Sequence, residues 1–205
     1  MHQIDYMVLL VLFLSITGGC RDESPGNCIL PQRLKMKPGD IVFRRGSGLT
    51  SRIVMLADES GRYSHVGIVV DSADRMMIVH AVPGEPDYEG DPDRVKMETP
   101  ERFFNAMNAT IGCLCRVGDD KVATRAALVA KSVYQTNTMF DHDYDSKDTT
   151  KMYCTELVVF AYARAGLQLV ADTCGHDINL PGLHTRCLLP SDIYQSAMLK
   201  KIKSF

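Results

Sequence analysis

The 205-residue chain has no tryptophan, no long apolar run and no excess of charge of either sign. Each absence excludes something. With 23 basic residues against 25 acidic ones the formal net charge is −2, so the chain carries no electrostatic footprint for nucleic acid. Its one basic cluster, Lys200-Lys201-Ile202-Lys203, reads as a solvated end. Met7 to Ile16 is an apolar run interrupted by Ser15 and too short to span a bilayer. There is no internal repeat and no low-complexity tract. Gly46-Ser47-Gly48 lacks the Lys-Ser/Thr ending of a phosphate loop, and Asp141, His142, Asp143 and Asp145 lack the glycine and distal glutamate of a calcium loop. Cys174-Gly175-His176 and His184-Thr185-Arg186-Cys187 contain zinc-ligand types without zinc-site spacing, and His65 with His80 has no third ligand. The expectation is therefore no metal and no cofactor.

What is present starts with a targeting segment. Residues 1–19 read as a signal peptide, and Thr17-Gly18-Gly19-Cys20 resembles the end of a bacterial lipoprotein signal, which implies lipidation at Cys20. Residues 20–34, with Pro25, Gly26 and Pro31, read as a tether, and 35–205 as one globular domain, which the 45% hydrophobic content can fill. The expected location is the cell envelope, membrane-anchored through Cys20, with plain secretion as the alternative. An exported chain can hold disulfides. Setting aside Cys20 and Cys154 leaves five cysteines, and Cys174 with Cys187 is the pair expected.

Along the domain, Ile41–Arg44 reads as a strand and Leu49–Ala57 as a short helix with Thr50 or Ser51 as cap. Tyr63–Val70 and Met76–Val82 read as a hairpin. A Ser72-Ala73 loop sets His65 directly opposite His80 on one face. Pro83–Pro100 reads as a long surface loop, Glu101–Asn105 as a short helix and Ile111–Val117 as a strand. A helix capped by Asp119 or Asp120 runs to about Gln135, and a last helix follows Pro190-Ser191-Asp192. Met152–Gly166 reads as a buried helix that begins polar and stops at a glycine. Cys154 falls in its first turn, where unpaired N–H groups and the helix dipole favour a thiolate.

A nucleophilic cysteine needs a base, and the base needs a group to fix its tautomer. Cys154, His65 and His80 supply these three types. Their local wording is more specific than the triple alone. Lys37-Pro38-Gly39-Asp40-Ile41-Val42-Phe43, Ser64-His65-Val66-Gly67-Ile68-Val69 and Tyr153-Cys154-Thr155-Glu156-Leu157-Val158 together resemble the permuted NlpC/P60 papain-like family, the YaeF/YiiX group of amidase-like proteins. Phe140-Asp141, Tyr144 and Leu189-Pro190-Ser191-Asp192-Ile193 fit the same group.

The resemblance implies an α+β, circularly permuted papain-like fold with an antiparallel sheet packed against the helix that carries the cysteine. It implies Cys154 as nucleophile, His65 as general base and His80 as orienter, in a position where many members carry a glutamate. A neutral histidine lacks that carboxylate's charge. The oxyanion would lie against the Cys154 N–H, with Tyr63 or Tyr153 as candidate second donors. The implied activity is cysteine hydrolysis of an amide or ester, on a cell-envelope peptide or amide. The alternatives are an acyl-lipid hydrolase or acyltransferase of the same fold, and a non-catalytic peptide- or lipid-binding module. No second hydrophobic anchor near the active segments is visible in the sequence, which counts against the lipid alternative.

Overall fold

The computed structural model describes residues 28–205 except 59, 146, 147, 149, 172, 173, 181 and 182. The expected signal segment and Cys20 lie outside the described residues. The elements are β1 (Ile41–Arg45), α1 (Leu49–Ala57), β2 (His65–Ser72), β3 (Arg75–Val82), β4 (Arg94–Glu98), α2 (Pro100–Phe103), β5 (Ile111–Val117) and α3 (Asp120–Gln135). They continue with β6 (Met139–Phe140), β7 (Lys151–Met152), α4 (Cys154–Arg164), β8 (His176–Leu180), β9 (Leu183–Cys187), α5 (Pro190–Tyr194) and β10 (Leu199–Ser204).

Eight strands form one sheet in the order β10-β5-β1-β2-β3-β4-β6-β7, antiparallel except for β6 with β7. A separate hairpin pairs β8 with β9. The central strands β1 and β2 are covered on both faces, which is why they read as nearly unbroken apolar runs. On one face Phe43, Val66, Ile68 and Ala81 meet Leu157 and Val158 of α4 and the alanines of α3. On the other, Val42, Val69, Ile78 and Leu114 meet Phe103 and Phe104.

Local chemistry explains the helix ends. The Asp119 carboxylate accepts the N–H groups of Lys121 and Val122 and so caps α3. Ala123, Ala126, Ala127 and Ala130 then let that helix lie close to its neighbours. Beyond α4, Gly166 turns the chain at φ +91°. Gly39, at φ +87°, joins both helices to the sheet. Its carbonyl accepts the Tyr162 hydroxyl, and a Cβ there would fall 2.3 Å from the Ala123 carbonyl oxygen.

Five expectations need correction. The Pro83–Pro100 segment contains β4, whose charged wording conceals a buried Val95 and a half-buried Met97. The cysteine- and histidine-bearing stretch after α4, whose polar wording reads as a loop, forms the β8–β9 hairpin. The lysine-rich end is an edge strand, β10, hydrogen-bonded to β5; lysines on an exposed edge discourage further strand pairing. The tether stops being one at residue 28. From there Cys28, Ile29, Leu30 and Leu34 pack on the second face, and Ile29 N–H donates to the Phe104 carbonyl. Finally, α1 begins at Gly48 with no side-chain cap, so neither Thr50 nor Ser51 serves.

Candidate active site

Cys154 is the first residue of α4, preceded by Tyr153 at the N-cap without a side-chain cap bond. The pairing of β2 with β3 ends at Ile68 and Val79. The Cys154 sulfur lies 3.7 Å from the Thr155 hydroxyl, and the backbone N–H groups of Val66, Thr155 and Cys154 face it. That places the sulfur beside β2, next to the residue that follows His65. Burial nonetheless pushes the thiol pKa up, against the Thr155 hydroxyl and these N–H groups. The stabilised thiolate expected from the helix start is not the resting state, because desolvating an anion outweighs a few N–H dipoles here.

His65 and His80 share the other face of the sheet, the one that holds Phe103. The turn residues are Ala73 and Asp74, both at positive φ, rather than Ser72 and Ala73. The register therefore moves by two, so it is Gly67 that falls across from His80, and His65 meets His80 diagonally. A shift of two keeps side chains on the same face. The contact survives: His65 Nε2 and His80 Nδ1 are 2.8 Å apart. Phe103 packs against both rings, with centroids 5.7 Å from His65 and 5.1 Å from His80. Burial, then the Arg44 guanidinium, then His80 hold His65 well below the usual imidazole range. Arg44 itself is buried, stacked 4.6 Å over Phe103, donating to the Phe103 carbonyl and paired with Glu85.

Behind His80 stands a residue that sequence reasoning missed. Glu98, at the end of β4, brings Oε1 to 3.0 Å from His80 Nε2, while Oε2 lies 3.2 Å from Arg102 Nε. Both His80 and Glu98 are buried. Neither His80 Nε2 nor Glu98 Oε1 forms an aligned hydrogen bond among the described residues; they are close but not squarely aimed. Burial alone would raise the Glu98 pKa, but His80, Arg44 and Arg102 together hold it below the usual carboxylate range.

The other candidate residues are placed as follows. The Tyr153 hydroxyl accepts the Leu188 N–H at 3.1 Å. Tyr63 packs between Phe43 and Tyr194, with its buried hydroxyl near Ser204 and Cys113. Glu156 accepts the Tyr153 N–H, yet burial and then Asp141, Asp145 and Asp148 push its pKa up to about 8, so it is protonated near neutrality. Cys174 and Cys187 are both free, the first exposed and the second buried, so the expected disulfide is not formed. His176 bonds Asp192 and His184 bonds Asn179. Among the described residues no group of three or more His, Cys, Asp or Glu side chains is arranged to hold a metal ion.

A cleft of about 280 Å³ opens beside His65, lined also by Arg44, Ser64, Glu85, Leu49 and Met107. On its rim α1 buries none of its residues. Leu49 and Leu56 are each 75% exposed and Ile53 38%, at helical spacing on one side, and Met107 is 76% exposed. Exposed apolar side chains that the sequence did not reveal therefore lie near the histidine.

The model of the permuted papain-like amidase enzymes, YaeF/YiiX, C92 family, matches residues 35–203. Among solved structures, the fold is similar to that of the metalloprotein yiiX from Escherichia coli O157:H7, with a TM-score of 0.65 and 18% identity over 83% of this chain and 98% of that one. No curated protein matches the chain in sequence.

Proposed function

This chain belongs to the permuted papain-like amidase family, and from that premise we propose that Cys154 is its nucleophile, His65 its general base and His80 the orienter of His65. The observation that carries this is the seat of the Cys154 sulfur on the Val66 N–H, one residue beyond His65. His65 spends Nε2 on His80, so Nδ1 is the nitrogen that takes the thiol proton. The thiolate attacks a carbonyl, the oxyanion is met by the Cys154 N–H at the start of α4, and His65 returns the proton to the leaving group. Water then resolves the thioester. Because burial keeps thiol and imidazole both neutral at rest, the transfer of the proton to His65 is coupled to the attack on the carbonyl.

The bond cleaved is an amide or ester, and the substrate class a cell-envelope peptide or amide. Export and anchoring through Cys20 follow from the leader, and nucleic acid has no part in the activity. Screening amide and ester libraries with wild type, Cys154→Ala and His65→Ala tests the reading. A covalent acyl adduct on Cys154, detected by mass spectrometry and lost with Cys154→Ala, supports it. Undiminished hydrolysis by Cys154→Ala sinks it. An unreactive Cys154 in a protein that still binds peptides points to the non-catalytic module.

One observation favours a second reading, an acyl-lipid substrate: the exposed Leu49, Ile53, Leu56 and Met107 beside the His65 cleft. Parallel assays on acyl-lipid vesicles and soluble peptide amides separate the two.

A further inference from the structure

We propose that Glu98 is a positioning residue that acts through His80 to decide which nitrogen of His65 is the base; this rests on the reading of Cys154 and His65 just given. An ionised carboxylate can only accept. Glu98 Oε1 lies 3.0 Å from His80 Nε2, and although the two are not squarely aimed, so close a carboxylate favours the proton on Nε2. Neutral His80 then presents Nδ1 as an acceptor, 2.8 Å from His65 Nε2. His65 Nε2 must donate, which leaves Nδ1 as the lone pair that takes the Cys154 proton. Three buried groups from three adjacent strands thus fix two tautomers in sequence.

The same placement supplies the charge that a histidine orienter lacks. When His65 becomes an imidazolium, a buried carboxylate stands one ring behind it, where such an interaction is less screened than at the surface. The groups around Glu98 are His80 from β3, Arg44 from β1 and Arg102 from α2. Lys96, on the same strand, is held instead by Asp87 and the Glu85 carbonyl, and Glu85 is paired with Arg44. Glu98 is the carboxylate within contact distance of His80. Removing it leaves the two arginines to oppose a new positive charge at His65.

The experiment uses the full chain with Glu98→Gln and Glu98→Leu, and needs no known substrate. Iodoacetamide alkylation of Cys154 is followed by peptide mass spectrometry from pH 4 to 9, and ¹⁵N NMR of labelled histidine reads the tautomers of His65 and His80. Glutamine keeps an acceptor but no charge. We expect it to preserve both tautomers, slow alkylation about tenfold at neutral pH and move the profile to higher pH, in line with the effect of removing a histidine's outer partner. Leucine should scramble the tautomers and slow alkylation about a hundredfold. Should leucine prevent folding, the glutamine profile decides alone. Wild-type rates in the variants, or a uniform loss with profile and tautomers unmoved, overturns the proposal and leaves Glu98 a packing residue. His65→Ala is the control: if it too leaves alkylation unchanged, the Cys154–His65 pairing fails, whereas the tautomer signature still judges Glu98.

Discussion

Gly67 leaves open the space that His80 fills: a Cβ built on Gly67 would lie 2.8 Å from Ile78 Cγ2 and 3.2 Å from His80 Cβ. The two histidines meet on a diagonal across that missing side chain. Gly67→Ala should push β3 outward, lengthen the 2.8 Å His65–His80 contact and reduce activity at least about tenfold, with a stability loss of about 1–3 kcal/mol from overpacking. Kinetics together with urea denaturation check this; a fully active alanine variant would show that the histidine pair is dispensable.

Stability should depend on pH through His65. Its folded-state pKa lies well below the ordinary 6.5, so as pH falls below about 6.5 the unfolded chain binds a proton that the folded chain refuses. Stability therefore drops on acidification, by up to about 1.4 kcal/mol per pH unit for one such proton. Glu98 acts in the same direction at lower pH, below the ordinary 4.5. Urea midpoints at pH 7 and pH 5 should differ more for wild type than for His65→Asn. Equal differences in both proteins would remove His65 as the source.

Arg44 sets the charge state of His65 from the side. Burial is the larger cause of the low pKa and the guanidinium the next. Arg44→Met keeps a long side chain over Phe103 and removes the charge, leaving Glu85 without its partner. The His65 pKa should rise toward the ordinary imidazole range, read as a shift of its NMR titration midpoint. An unmoved midpoint would mean that burial alone accounts for it.

The α1 stripe separates the two substrate readings. Leu49→Ser with Leu56→Ser alters side chains that are mostly exposed, so folding stability should stay within about 0.5 kcal/mol. Hydrolysis of vesicle-borne acyl lipids should fall at least about a hundredfold if that is the substrate, since each leucine buried in lipid is worth about 1.5–3 kcal/mol, while turnover of a soluble peptide amide should not change. The ratio of the two rates, wild type against variant, is the measurement.

Much of this was legible in the chain itself. Cys154 at the start of α4, the Asp119 cap and the two histidine strands all follow from local wording, because helix ends and β-hairpins are encoded within a few residues. The register was not, since Ser72-Ala73-Asp74 offers two adjacent loops and the choice depends on which residues take positive φ. Glu98 was hidden for a different reason. Arg94-Val95-Lys96-Met97-Glu98 looks like surface, and only the ion pairs of Arg94 and Lys96 with Asp87 and Asp91 make its burial tolerable. Those partners lie in the preceding loop, where no periodicity marks them.

The sheet carries Cys154 packed against one face and the histidine pair on the other, and different parts of the chain cover the two. The α3–α4 layer closes the first; residues 28–36, α2 and Phe205 close the second. A nascent chain that has assembled either layer alone holds half of the machinery, and β4 with Glu98 must also have joined the sheet. Holding the proposed thiol and histidine pair in place therefore takes both coverings at once.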